Sequence, residues 1–224
     1  MKLIITAFLI VSLAACNGND AAKTETTTND SMQSKMAADT MTATTTVAEN
    51  APMPDSATMM KNWQAYMTPG EPHKLLASWD GTWTGDIKMW MAPGAPPQVT
   101  KGTAVNKMIL GGRYQHSTHS SLMMGMPFEG EATTGYDNTK KKFVSSWIDN
   151  MGSGVMTMEG DWDESTKTLT LVGKCIDPMA GNGREMTVKQ TQKVIDQNTQ
   201  LVEMFSPGPD GKEFKMMEIK MTRK

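Results

Sequence analysis

The sequence predicts a mainly β protein, an antiparallel up-and-down barrel of about ten strands preceded by short helices. After Asp80, β-favouring runs alternate with turn residues about every eight to twelve positions. No helical pattern separates these runs, so consecutive strands should pair antiparallel. A meander of this length avoids two exposed edges most simply by closing into a barrel.

The first fifteen residues have the layout of a secretory signal peptide. Lys2 precedes an apolar run that is too short to span a bilayer, and small residues lead to Cys16. The run Leu13-Ala14-Ala15-Cys16 resembles the lipobox of bacterial lipoproteins, which implies a lipid on Cys16. We therefore expect an envelope protein that is lipid-anchored to a bacterial membrane, with the periplasmic side of the outer membrane as the expected place. An ordinary signal peptide with a chance cysteine is the alternative.

Residues 16–55 should be a disordered tether. This Thr-rich segment has no aromatic residue, so it cannot bury enough apolar surface to offset its ordering entropy. It contains two lysines and six acidic residues, whereas the remainder of the chain after it contains 19 basic and 18 acidic residues. That nearly neutral remainder, residues 56–224, is the predicted barrel domain, and its charge balance argues against a nucleic-acid partner.

The helices and strands follow from spacing and turn chemistry. Met59, Trp63 and Tyr66 have helical spacing up to Pro69, and a second short helix begins near Pro72. The predicted strands are Thr82–Met91, Val99–Leu110, Arg113–Leu122, Glu131–Tyr136, Phe143–Asn150, Val155–Trp162, Thr168–Cys175, Arg184–Val194, Gln200–Phe205 and Glu213–Arg223. In the last strand apolar and polar residues alternate, which predicts an apolar lumen and a solvated exterior.

The predicted lumen is the candidate binding site. The strand Phe143–Asn150 mixes apolar and polar residues on both faces, a composition typical of a ligand pocket. We expect Trp147, Asp149 and a lumen-facing His116 to line it, with Met89 and Met91 as apolar wall. The ligand should be a small apolar or amphipathic molecule. The alternatives are that Asp149 only caps its strand and that His116 is an ordinary polar wall residue.

No pattern predicts catalysis. The sequence has no Gly-x-Ser-x-Gly, His-Glu-x-x-His or Cys-x-x-Cys motif, so we expect a binding protein, with an uncharacterised enzyme or a structural envelope protein as alternatives. We expect no metal site and no resident cofactor. Haem on His116 and Cu(I) on some of the 23 methionines remain alternatives, because thioethers bind Cu(I) and also line adaptable apolar pockets. Cys175 should be a buried, unreactive thiol, and protein partners are not predicted.

Two resemblances support the barrel. Gly81-Thr82-Trp83 on the first strand, with Arg223 on the last, resembles the signature of calycins, the lipocalin and fatty-acid-binding superfamily. The resemblance implies that Trp83 closes one barrel end and that Arg223 packs over its ring. A second resemblance, to a bacterial family of unknown function with a calycin-like barrel, implies no activity; it rests on Lys88–Pro97, Leu110–Tyr114, Met123–Gly130, Gly135–Asn138 and Trp147–Asn150.

Overall fold

A computed structural model describes residues 52–178, 180–208 and 210–224. The predicted signal peptide, Cys16 and the tether as far as residue 51 lie outside these residues. Among the described residues, no helix has the length and apolar character needed to cross a bilayer.

Ten antiparallel strands close into a barrel, as the sequence predicts. Each strand pairs with its neighbours in the chain, and the first pairs with the last. The strands are β1 Gly81–Met89, β2 Gln98–Ile109, β3 Tyr114–Met123, β4 Met126–Asp137, β5 Lys142–Asp149, β6 Met156–Asp163, β7 Thr168–Ile176, β8 Glu185–Asp196, β9 Thr199–Pro207 and β10 Glu213–Arg223. Closure satisfies the backbone groups that two free edges would leave unpaired.

Two short helices precede the barrel, α1 Ser56–Met67 and α2 Glu71–Ala77. Asp55 caps α1, since the backbone N–H of Thr58 donates to Asp55 Oδ1 at 3.0 Å. None of the α1 residues is buried, whereas Leu76 of α2 is completely buried. The second helix therefore belongs to the barrel core and the first does not.

The largest difference between predicted and observed strands is the start of β4. It begins at Met126, five positions before the predicted Glu131. Met124 and Gly125 both have positive φ, 50° and 80°, which is the backbone of a two-residue hairpin turn. Such a turn needs no further loop residues, so pairing with β3 starts at once, with Met123 opposite Met126.

The end of the barrel where α2 packs, here called the helix end, holds the apolar core. Leu76 and Trp79 pack there against the inward residues of four strands, Phe143, Met158, Leu169, Leu171 and Val188. The side-chain amide of Gln115 donates to the carbonyl of Leu76 at 2.6 Å, so the buried end of α2 is also fixed by a hydrogen bond. We call the opposite end, where β1 connects to β2 and β3 to β4, the loop end.

Candidate functional site

Burial of the inward side chains changes along the barrel. Near the helix end, Trp83, Ala104 and Phe143 are at most 3 % exposed. Nearer the loop end, many inward side chains keep part of their surface exposed, among them Met89, Trp147, Met156, Met186, Met204 and Met217. These side chains face the interior, so the inner face is less completely packed there. The helix end is closely packed, and the inner wall is partly exposed nearer the loop end.

Trp147 is the centre of the most chemically varied part of this inner wall. Its ring stacks on Phe128 with centroids 6.2 Å apart and planes 17° apart. His119 approaches the same ring edge-on at 5.2 Å. A Cβ at Gly130 would lie 2.4 Å from the indole, so only glycine leaves room for the ring there. We call His119, Phe128, Trp147 and Asp149 the Trp147 cluster.

Asp149 fixes the orientation of the indole. The Trp147 Nε1–H donates to Asp149 Oδ2 at 2.7 Å. The other carboxylate oxygen accepts the backbone N–H of Met151 at 2.9 Å. Asp149 therefore both ends its strand, as the alternative interpretation predicted, and holds the aromatic wall of the lumen.

His119 faces the lumen with no side-chain hydrogen bond to any described residue. Gln115 and Ser117, four and two positions before it on the same face, are buried. Burial lowers the pKa of His119 to about 4, so the imidazole is neutral at neutral pH. No fully buried polar side-chain atom among the described residues lacks a partner, so the His119 nitrogens remain accessible. A neutral imidazole in this position can donate from one nitrogen and accept at the other.

The prediction that His116 faces the lumen is wrong. His116 lies on the outer face, where its Nε2 is 3.7 Å from Glu131 Oε2. The physical reason is the period of two along a strand, which places His116 with exposed Tyr114 and Thr118 and opposite to buried Ser117. His116 was expected to face the interior, but the face that it shares with Tyr114 is solvated, and the tyrosine is 38 % exposed.

The two methionines expected in the apolar wall have different positions. Met89 is the last residue of β1 and faces inwards, opposite Met217 of β10, which in turn lies opposite Met204 of β9. Met91 lies beyond the end of β1 and is 61 % exposed, so its assignment to the wall is wrong. The predicted strand was two residues too long because Trp90 and Met91 continue the apolar pattern into the loop.

Other polar groups inside the barrel satisfy one another. The Gln192 amide donates to Gln200 Oε1 at 2.8 Å, and the hydroxyls of Thr134 and Ser145 lie 2.9 Å apart. Unlike these inward polar groups, the imidazole of His119 has no hydrogen-bond partner among the described residues. Sequence reasoning missed His119, Phe128 and Gly130, although the alternation of Gln115, Ser117 and His119 was a usable signal.

Two depressions are found in the part of the chain that the structure describes. One, of about 170 Å³, separates the end of α1 from the outer wall and is lined by Trp63, Tyr66 and Tyr114 among others. The second, of about 470 Å³, is lined mainly by outward side chains of β2 to β5, including Val105, Glu131 and Ile148. The second depression is also lined by His119, Gly130 and Asp149, so the partner-free imidazole of His119 borders it. Among the described residues, no three His, Cys, Asp or Glu side chains are arranged to hold a metal ion.

The fold and this inner wall define a calycin-like barrel with a closely packed helix end and an inner wall that is partly exposed nearer the loop end. The chain belongs to the family described as "Protein of unknown function (DUF1579)", whose model matches residues 68–223. Among solved structures, it is similar to that of Rv2717c from M. tuberculosis, with 11 % identity and a TM-score of 0.52. That match covers 70 % of this chain and 99 % of the other, and it shows a shared fold. No curated protein matches the sequence.

Proposed function

We propose that this protein is a lipid-anchored envelope protein whose barrel binds a small apolar or amphipathic molecule in its lumen. The observation that carries the proposal is His119, an inward imidazole that has no hydrogen-bond partner among the described residues. Binding sites in barrels combine apolar walls with a few placed polar groups. The Trp147 cluster has this composition.

The wall supports a ligand with one apolar part and one polar group. Trp147 and Phe128 offer aromatic surface on one side, and Met89, Met204 and Met217 offer flexible apolar surface on another. The carboxylate of Asp149 is already engaged by two N–H donors, so His119 is the group that is free to hydrogen-bond a polar head. A neutral imidazole suits a carboxylic acid, an alcohol or an amide.

A matched pair of histidine variants tests this proposal. His119 and His116 lie three residues apart on β3, one facing inwards and one outwards. We expect oleic acid to change the tryptophan emission of the full-length protein. His119→Phe should weaken this binding about tenfold, the value of one lost hydrogen bond, and His116→Phe should leave it unchanged.

Haem, the alternative cargo, would use the same imidazole as an iron ligand and is distinguished by its absorption spectrum. Native mass spectrometry of the protein purified from its own host would identify a bound molecule directly. If neither oleic acid nor haem binds and no molecule co-purifies, the proposal of a carrier is wrong. The protein is then a structural envelope protein without a small ligand.

The anchor is a separate part of the proposal and has its own test. Cys16 lies outside the described residues, and its lipidation rests on the lipobox resemblance. Several acyl chains hold a protein firmly to a membrane, whereas one chain anchors it only marginally. Cys16→Ser should therefore move the protein from the membrane fraction to the soluble fraction. Retention of this variant after a carbonate wash contradicts the lipoprotein assignment.

A further inference from the structure

Three sulfur-containing side chains form one row on the inner face near the loop end. Cys175 of β7 lies opposite Met186 of β8. Thr157 of β6 lies opposite Lys174 of β7, which places Met156 beside Cys175 on its other side. All three sulfur-containing side chains pack against the same apolar core, and each keeps part of its surface exposed. We call Met156, Cys175 and Met186 the sulfur row.

The spacing of the row allows the three sulfurs to meet. Residues directly opposite each other in an antiparallel pair have Cβ atoms about 4.5–5.5 Å apart. Methionine is unbranched and has several rotatable bonds beyond Cβ, so its sulfur can move towards the central cysteine. Cys175 is not in a disulfide and is the only cysteine among the described residues. Three consecutive strands thus bring one thiol and two thioethers to one accessible place.

We propose that the sulfur row is a Cu(I) site, with the Cys175 thiolate and the thioethers of Met156 and Met186 as ligands. Thiolate and thioether are soft ligands, which select Cu(I) over harder cations. The described residues offer no group of three His, Cys, Asp or Glu for a divalent ion. On binding, the Sγ–H bond of Cys175 breaks, the sulfur keeps the electron pair for the metal, and the proton passes to solvent. Met156 lies opposite Trp147, so the sulfur row borders the Trp147 cluster, but His119 is not one of its ligands.

The experiment uses the full-length protein with Cys16→Ser, so that Cys175 is the only thiol. Cu(I) is titrated without oxygen against a chromogenic Cu(I) chelator. We expect one Cu(I) per chain. Cys175→Ser and Met186→Leu should each lower the affinity by at least about 10–100-fold, the cost found even for residues that only support metal ligands. The control is Met60→Leu, a methionine of α1 that is 66 % exposed and should bind Cu(I) unchanged.

A second measurement does not depend on the folding of the cysteine variant. Cu(I) should protect Cys175 of the otherwise unaltered barrel from alkylation by N-ethylmaleimide. The proposal is overturned if the chelator removes Cu(I) equally well from the Met186→Leu and unaltered chains, or if alkylation proceeds at the same rate with and without Cu(I). His119→Phe should retain Cu(I) binding, so loss of the lumen ligand and loss of the metal site are distinguishable.

Discussion

The guanidinium carbon of Arg223 lies 4.3 Å from the centre of the Trp83 ring. The two residues are also direct register partners where β1 and β10 close the barrel. Trp83 is 1 % exposed, and its Nε1–H donates to the carbonyl of Trp79 at 3.0 Å. The same guanidinium donates to the carbonyl of Ser78 at 2.8 Å and to that of Asp80. One cation therefore joins the first strand, the last strand and the segment after α2.

This arrangement predicts that Trp83 and Arg223 stabilise the fold as a pair. Trp83→Ala should lower the free energy of unfolding by about 3–5 kcal/mol, as for other buried aromatic residues. A double-mutant cycle with Arg223→Ala, measured by denaturant unfolding, should give a coupling of about 1–2 kcal/mol, the value of a partly desolvated cation–π contact. Arg223→Lys retains the charge but not the fork of donors, so it should be clearly less stable than the unaltered protein. Additive effects in the cycle would show that the pair is not coupled.

Gly130 offers a test of the Trp147 cluster. Because a Cβ at Gly130 would lie 2.4 Å from the indole, Gly130→Ala should displace Trp147 and cost about 1–3 kcal/mol of stability, as overpacking does. Tryptophan emission should change with it. The matched control is Gly154→Ala, where a Cβ meets nothing within 4 Å and should have little effect. Equal behaviour of the two variants would mean that the indole does not lie over Gly130.

The fold was predictable because its signals are local and repeated. Most turns contain Gly, Asn or Asp, and a meander leaves few ways to connect ten strands. The last predicted strand, Glu213–Arg223, has the observed bounds. The start of β4 was missed because Met124 adopts a positive φ, which is uncommon for a residue with a side chain.

The candidate site was only partly predictable, for a physical reason. Side chains alternate between the two faces of a strand, so an error of one residue moves a predicted lumen residue to the solvent side. Polar residues occur on both faces of β3, so composition does not show which face is the inner one. The polar stripe of Tyr114, His116 and Thr118 was taken as the inner face, so His116 was chosen and His119 was not. Trp147 and Asp149 were found because apolar and polar residues mix within a single strand. Their contacts with Gly130 and Phe128 depend on strand register, which local composition does not contain.

The lowered pKa of His119 predicts that the protein loses stability in mild acid. Its pKa is about 4 in the folded protein and 6.5 as a model value, so the unfolded chain binds the proton first as the pH falls. The stability that this group contributes is therefore complete above about pH 6.5 and is lost between pH 6.5 and 4, by about 3 kcal/mol in total. His73, whose pKa is lowered by burial and by nearby Arg113, acts in the same direction. The informative quantity is therefore the acid-induced loss of stability of the unaltered protein compared with that of His119→Phe.

That difference is measured by denaturant unfolding at pH 7.5 and at pH 4.5. We expect His119→Phe to lose less stability than the unaltered protein between the two values, because Phe does not take up a proton. His116→Phe, the outward control, should retain the full loss. If His119→Phe is as sensitive to acid as the unaltered protein, the imidazole is not held neutral by burial.

The hydrogen bonds of Asn138 indicate how α1 is attached to the barrel. Its side-chain amide lies within hydrogen-bond distance of the carbonyls of Ala65, Tyr66 and Thr68, at 3.1, 3.0 and 2.8 Å. Arg113 donates to the carbonyl of Met67 at 2.7 Å, and no α1 residue is buried. The helix is therefore attached through polar contacts at its C-terminal end.

Asn138→Ala should accordingly release α1 while the barrel remains folded. Amide exchange in residues 56–67 should become faster, because local opening of a segment with few apolar contacts costs little. The free energy of unfolding of the barrel should change by less than about 1.5 kcal/mol, the range of a single hydrogen bond. The control is Asn182→Ala, whose side chain accepts only from the backbone N–H of Arg184 and should not alter α1. Unchanged exchange in α1 after Asn138→Ala would show that other contacts fix the helix.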